Sequence, residues 1–578
     1  MPAAQESAIP PSTAPSVPRT AAAKALYRAM TGAAGPAATG WTGPPRYPEP
    51  PRRGEKVLIL GAGVSGLTAA YELSTLGYDC TVLEAQHRVG GRNRTARNGD
   101  RLYELDDGTG RPVPTHTCRF DEGLYLNLGP GRIPHHHRRV LTYCRDFGVA
   151  LQPYVMETTA NLVRPPHLAR ALPNRRVAND IRGHLAAKLA ETLDGRGPNG
   201  ADGADDGDGA AFTAEVRDLL RIFGALDADG KYSVAQRSGY LHDPAEEEPV
   251  PVPAPPLTFE ELVGSGFWKT RFYQPLDYEW QATMFQPVGG MDHVVMALAR
   301  EARRAGATIV LGAEVTEVAL HPAGTAGPDV TVGYLVDGEE RQATARYCVS
   351  SIPVPVFRGV RRSGFSAAYE TALGVVEFAK TCKVGWQANR RFWEGDLVGE
   401  PGAGNAPDIY GGISWTAHDI TQIWYPSHDF FTAGGVLVGA YNFTDAAARF
   451  GALPPAERLR QARQGAAELH PEFRDTALVP EDKGISVAWH KVPYQLGGWA
   501  DWQPDREDHK EAYRRLLQPE GGDLFHVTGD QISPLPGWQE GAMMSAQYVI
   551  HQILGLMPRT VPDVIGVPDS VALTQGMV

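Results

Sequence analysis

Residues Lys56 to Arg92 read KVLILGAGVSGLTAAYELSTLGYDCTVLEAQHRVGGR. The apolar run Val57 to Leu60 has the length and composition of one buried parallel strand. Gly61, Gly63 and Gly66 follow in the spacing G-x-G-x-x-G. The first glycine permits a tight turn, the second a close approach of backbone to a pyrophosphate, and the third close packing of the next helix on the strand. Leu67 to Leu76 reads as that helix, with its free N–H groups and dipole facing the phosphates. Thr81 to Leu83 is a second strand. Glu84 ends it, about 20 residues beyond the glycines, where a carboxylate can accept hydrogen bonds from ribose hydroxyls. Strand, glycines, helix, strand and acid thus stand in the order of a dinucleotide-binding unit. The acid favours an unphosphorylated ribose, so FAD or NAD over NADP. Gly61, Gly63, Val64, Ser65, Gly66, Glu84 and Ala85 are the candidate contacts. The alternative, in a chain with 64 glycines, is a βαβ unit with an empty turn.

The 578 residues suffice for two or three domains with large cores. A hydrophobic content of 42% and a charged content of 21% are ordinary for a soluble globular enzyme. A net charge of −12 argues against nucleic acid as the main partner. No run approaches the length of a membrane span, and no charged and then apolar leader opens the chain. Cys80, Cys118, Cys144, Cys348 and Cys382 are few and scattered, and read as reduced thiols of a cytoplasmic protein.

Beyond Glu84, Arg88-Val89-Gly90-Gly91-Arg92 resembles the R-x-G-G-R segment of the flavin amine oxidases. That resemblance implies FAD rather than NAD, with Arg88, Gly91 and Arg92 near its pyrophosphate. Leu126 to Pro134, LNLGPGRIP, is similar to the G-P-x-R-[LI]-P segment of the L-amino-acid oxidase branch. There the resemblance implies that Arg132 grips the substrate α-carboxylate in a bidentate pair. Gly129, Pro130 and Gly131 then border the cofactor; the bland alternative is a surface arginine in a turn. Further likenesses follow in family order. FQPVGGM, Phe285 to Met291, resembles the segment where the family's chain returns to the cofactor domain, and the resemblance implies that the backbone of Val315 holds the adenine. Lys383, within KTCKVGWQANRRFW, matches a lysine that meets flavin N5 through water; a strand-edge lysine is the alternative. Tyr410 to Pro426 carries Tyr425, matching a phenol that gives the carboxylate its second contact, and a core tyrosine is the alternative. WHKVPYQLGGW matches the segment that lines the flavin and side-chain pocket, which the resemblance implies includes Trp499; Trp424, Trp415 and Asp419 are further candidates to set its preference.

Near the C-terminus, FHVTGD and PGWQEGA resemble the terminal FAD motif. The resemblance places Gly529, Asp530, Trp538, Gln539, Glu540, Gly541 and Ala542 at the cofactor, and Gly537 and Trp538 against the substrate. No cysteine stands in this motif, so FAD is expected to be non-covalent. The resemblance spans about 54 to 556. FDEGLYLNLGPGRIPHHHRRVL is closest in pattern to bacterial tryptophan-type L-amino-acid oxidases.

Two other stretches invite a metal. His135-His136-His137 cannot all face one ion on a helix, and no Cys or carboxylate cluster accompanies them in sequence, so they read as the first turn of a helix His136 to Phe147. Asn199 to Gly209 resembles a calcium loop but misplaces two ligands, and reads as a solvated loop. No metal is expected.

The fold class is α/β: a discontinuous Rossmann-like FAD-binding domain (54–98, 286–352, 520–556) with an inserted α+β substrate-binding domain (99–165, 353–519) and a helical domain (166–285). A Pro/Ala-rich segment (1–53), with a short helix at Ala21 to Met30, precedes it, and a tail (557–578) follows. The implied reaction is FAD-dependent oxidative deamination of an L-α-amino acid, aromatic side chains being favoured, to the 2-oxo acid, ammonia and hydrogen peroxide. A 2-monooxygenase yielding the amide and CO2, and an FAD-binding protein without turnover, are the alternatives. The expected partners are the amino acid, O2 and a second copy of the chain in a homodimer, without nucleic acid or membrane.

Overall fold

Val57 to Leu60 are almost wholly buried on both faces, as a central parallel strand requires. A computed structural model describes residues 53–195, 207–240, 250, 252–280, 282–321, 329–395, 408–430 and 432–556. The expected helix at Ala21 to Met30, the tail and most of the acidic insertion lie outside them. The last three residues of that insertion open a helix, Gly207–Gly224, instead of extending the loop.

Strand Lys56–Leu60 pairs in parallel with Asp79–Glu84 on one side and Tyr347–Ser350 on the other. Thr308–Leu311 and Phe525–Val527 complete a five-stranded parallel sheet. Three separated stretches of chain therefore build one sheet. Helices Val64–Thr75, His293–Arg304 and Gln539–Ile553 cover one face. Gly66, Ala69 and Ala70 are buried there, small enough for backbones to approach closely. Ala367–Val375 and Glu507–Leu517 pack on the other face, beside the antiparallel strands Ala313–Leu320 and Val330–Val336.

A second sheet of seven strands runs in the order Leu172–Pro173, Leu162–Arg164, Ile413–Thr416, Gln422–Trp424, Gly435–Phe443, Thr381–Ala388, Gly484–Ala488. Every residue of Thr381–Ala388 is buried. Lys383 is thus in an interior strand and not at an edge, and pairs in register with Tyr441. Asn174–Gly195 and Gly207–Gly224 pack together as a helical pair. Arg101–Leu105 and Pro112–Thr117 pair as an antiparallel hairpin. All five cysteines are buried and unpaired. Among the described residues no helix is long and apolar enough to cross a membrane.

Candidate active site

The C-terminal ends of the parallel strands open into a cavity of about 530 Å³ that continues under the seven-stranded sheet. At its sheet end the glycines divide their work. A Cβ on Gly66 would stand 2.1 Å from the Gly61 carbonyl oxygen, so Gly66 serves packing and does not reach the wall. A Cβ on Gly63 would meet nothing within 4 Å; this residue faces open space on the wall. Helix Val64–Thr75 starts there without a side-chain cap, leaving its first N–H groups free beside Val64 and Ser65. Glu84 is on the wall with Ala85. Its carboxylate accepts from the backbone N–H groups of Ala62 (2.7 Å) and Gln86 (2.8 Å). Burial raises its pKa, opposed by those two bonds and the Arg88 charge. Val315 lines the same end.

Arg88 corrects the expectation for its motif. It turns onto its own loop, donating to the carbonyls of Val89 (3.2 Å) and Gly91 (2.7 Å), and does not line the cavity. Gly91 and Arg92 do. Arg92 forms a bidentate pair with Asp530 and donates to the Gly498 carbonyl. Asp530 also accepts from the Gly537 N–H at 3.0 Å. The arginine of the first motif thus meets the acid of the last. Gly529, Gly537, Trp538, Gln539 and Ala542 share this wall, at the uncapped start of helix Gln539–Ile553.

Glu540 and Gly541 point elsewhere. Glu540 accepts from the backbone N–H groups of Arg139 (3.0 Å) and Val140 (3.1 Å) and pairs with the buried Arg139 guanidinium at 3.0 Å. It caps helix Arg138–Asp146, because its place in the first turn of Gln539–Ile553 faces that helix start. A Cβ on Gly541 would stand 2.2 Å from the Leu535 carbonyl, so this glycine permits close packing of the turn.

At the other end of the cavity lies Arg132, 5% exposed. Its Nε and Nη1 are buried and have no hydrogen-bond partner among the described residues. The guanidinium carbon lies 4.2 Å from the centre of the Trp280 ring and 4.3 Å from that of Trp424. Burial lowers its pKa, which the nearby Tyr154 and Tyr441 phenols oppose. Gly129, Pro130 and Gly131 line the wall beside it. Trp424 is held by its indole N–H donating to Gln422 Oε1 at 2.6 Å.

Tyr425 is the second correction. It is absent from the wall, and its hydroxyl donates to Ser414 (2.8 Å) and lies 2.5 Å from His470 Nε2. Gln422 and Trp424 face the cavity, so strand alternation turns Ile423 and Tyr425 into the core behind. The wall tyrosine that acts on Arg132 is Tyr441, from the neighbouring strand. Burial pushes its phenol up to about 12, with the Arg132 charge opposing.

Lys383 stands one layer behind the wall. Its amine donates to the carbonyls of Gly129 (2.7 Å) and Asn127 (3.0 Å) and lies 4.6 Å from the Tyr441 ring centre. Burial, and then the Arg132 charge, hold its pKa well below that of a free lysine. Trp499 lines the cavity, its ring 5.5 Å from Phe443. Trp415 and Asp419 do not; Trp415 is buried in the core and Asp419 pairs with Arg449 at 2.6 Å. Sequence reading missed Gln274, Trp280, Tyr441 and Phe443 on the wall. Only the aromatic rings of the last three offered a signal.

The three histidines bring a third correction. His136 lies in a turn and His137 precedes the helix, which starts at Arg138. Glu279, distant in sequence, supplies the carboxylate the sequence lacked nearby. Its Oε2 lies 3.2 Å from His136 Nε2 and 3.3 Å from His137 Nε2.

An open glycine turn, an uncapped helix start, a ribose-height carboxylate and a second helix start define a flavoprotein cradle, and these residues fit FAD. The chain belongs to the family of flavin containing amine oxidoreductases, whose model matches residues 64–554. It is 28% identical over 533 residues to the flavin-dependent L-tryptophan oxidase RebO of Lentzea aerocolonigenes, spanning 86% of this chain and 98% of that one. It is 28% identical over 518 residues to the L-amino-acid oxidase of Vipera ammodytes ammodytes, spanning 85% and 90%. Among solved structures, putrescine oxidase shares the fold, with a TM-score of 0.51 at 15% identity over 87% of this chain and 99% of that one.

Proposed function

We propose that this enzyme oxidatively deaminates an L-α-amino acid with a flat apolar side chain. The overall reaction takes the amino acid, O2 and water to the 2-oxo acid, ammonia and hydrogen peroxide. One observation carries this reading: a buried guanidinium on the cavity wall, with two of its nitrogens lacking partners. An uncompensated buried cation costs stability unless a ligand supplies the anion, and a carboxylate matches its fork in geometry. Bound FAD would supply the two-electron acceptor and the route to O2.

The chain's residues do the rest. Arg132 clamps the carboxylate, and the Trp280 and Trp424 rings hold the guanidinium in one orientation. Tyr441 offers its phenol, in protonated form, as the second contact. Lys383 places a further donor and partial positive charge behind Gly129 and beside Trp424 and Tyr441. Orientation of this kind contributes up to ~7–11 kcal/mol to a reaction between bound groups. Trp489, Trp499, Trp538 and Phe443 line the remaining wall with rings, which favours indole or phenyl side chains and excludes water. The name of the Lentzea aerocolonigenes relative supports the same preference.

Anaerobic mixing with single L- and D-amino acids tests the reading. The yellow flavin absorbance should bleach with aromatic L-amino acids and stay with their D-forms, and admitting air should yield equal 2-oxo acid and peroxide. Amide and CO2 as products, or flavin that no L-amino acid bleaches, would end the oxidase assignment.

A further inference from the structure

We propose that His136, His137 and Glu279 form a binding site for one divalent ion of the zinc type at the rim of the cavity. Zinc holds nitrogen and oxygen ligands about 2.0–2.2 Å away in a tetrahedron, which sets neighbouring ligand atoms about 3.3 Å apart. The two imidazole Nε2 atoms lie 3.2 and 3.3 Å from the same carboxylate oxygen, two such edges already in place. All three ligand atoms fall within 4.8 Å of one another. Consecutive histidines on a helix diverge, but His136 is in a turn and His137 is non-helical, at φ −77° and ψ 72°. Their rings stand at 86° to each other, with centres 4.8 Å apart, so both can aim at one point. His135 takes no part; its Nδ1 faces the Thr283 carbonyl at 3.2 Å.

The chemistry of the ligand set agrees. Two imidazoles and a carboxylate suit zinc, with cobalt as a spectroscopic substitute. The side chains of His136 and Glu279 keep 17% and 26% of their exposure, so a water can complete the tetrahedron. Binding at both Nε2 atoms moves the ring protons to Nδ1. The Nδ1 of His136 is buried without a partner, and a missing outer contact of that kind weakens a site roughly 10–100-fold.

The ion would tie two turns together. Tyr278 packs on His136 with ring centres 4.8 Å apart, and Trp280 follows Glu279 and covers Arg132. His137 itself touches Trp538 edge-on at 4.9 Å. Occupancy would fix the Trp280 face of the Arg132 slot, so the apparent KM should respond to zinc.

Titration calorimetry of untagged, chelator-treated holoenzyme with zinc chloride is the test, with cobalt chloride followed by visible absorption. About one ion per chain should bind, at least tenfold more weakly in His136→Asn and in Glu279→Gln, and equally well in His135→Asn. Far-ultraviolet circular dichroism and flavin absorbance check that each variant folds, and Glu279→Gln, at the most exposed ligand, carries the test if His136→Asn does not. Absence of binding below millimolar zinc, or equal binding in all four proteins, overturns the proposal. Since binding is read without turnover, either result leaves the oxidase assignment to its own experiment.

Discussion

Replacing Arg132 with methionine removes the charge and keeps a flexible apolar chain between the two indoles. Two charge-assisted hydrogen bonds to a carboxylate contribute about 1.5–3 kcal/mol each. Part of that is returned, because the free enzyme no longer buries a guanidinium with two unpartnered nitrogens. The net loss should be about 2–4 kcal/mol of transition-state stabilisation, or roughly a 30- to 1,000-fold fall in kcat/KM. The assay is peroxide release from an aromatic L-amino acid and, in parallel, from the amine that lacks its carboxylate. The amine has nothing for Arg132 to bind, so its already poor rate should stay within a few fold. The variant should also melt no lower than the parent, since a site built around an uncompensated cation is a cost to the empty fold. An equal loss on both substrates, unchanged kinetics on the amino acid, or a sharp fall in melting temperature would show that Arg132 holds the fold and not the carboxylate.

Gly63→Ala should leave the apoprotein's melting temperature unchanged, because its Cβ meets no protein atom, yet weaken FAD retention in a reconstitution titration by about 1–3 kcal/mol. Tyr441→Phe should raise KM by about 0.5–1.5 kcal/mol of binding, whereas Tyr425→Phe should cost about 1–3 kcal/mol of stability with KM unchanged; the reverse pattern would return Tyr425 to the site. His470 is buried and its pKa is lowered to about 3 by desolvation. Its folded pKa lies below the unfolded value of about 6.5, so as pH falls the unfolded chain binds the proton first. Its contribution is whole above about pH 6.5 and is lost from there towards pH 3, amounting to about 2 kcal/mol at pH 5. Urea unfolding of His470→Gln should show that much less loss between pH 7.5 and 5.

The cofactor cradle was legible because its signals are local. A turn, a helix start and a strand-ending acid each depend on residues a few positions apart, and the glycines Gly61, Gly63 and Gly66 have few other uses in that spacing. What escaped depends on direction and on distant chain. Whether Trp424 or Tyr425 faces the cavity is a matter of one residue of strand register, which flips every side chain. Tyr441 became a wall residue only through pairing with Lys383 across two strands. Arg88 and Glu540 belong to motifs whose residue types are right for a cofactor, but backbone carbonyls and a helix start compete for them. Glu279 lies 142 residues from His137, and no pattern in the histidines announces the acid they meet.

The pairing of Arg92 with Asp530 has a consequence for the order of events during synthesis. The two residues are 438 positions apart. A ribosome adding about 5–20 residues per second needs about 20–90 s to pass from one to the other. For most of that interval the first glycine turn has been made while the strand and helix that close its far side do not exist. Flavin capture by the complete cradle therefore comes late in synthesis, and until Tyr347–Ser350 is made the nascent N-terminal βαβ unit presents an unpaired edge on Lys56–Leu60, the interval in which a chaperone or a neighbouring polysome chain competes for it.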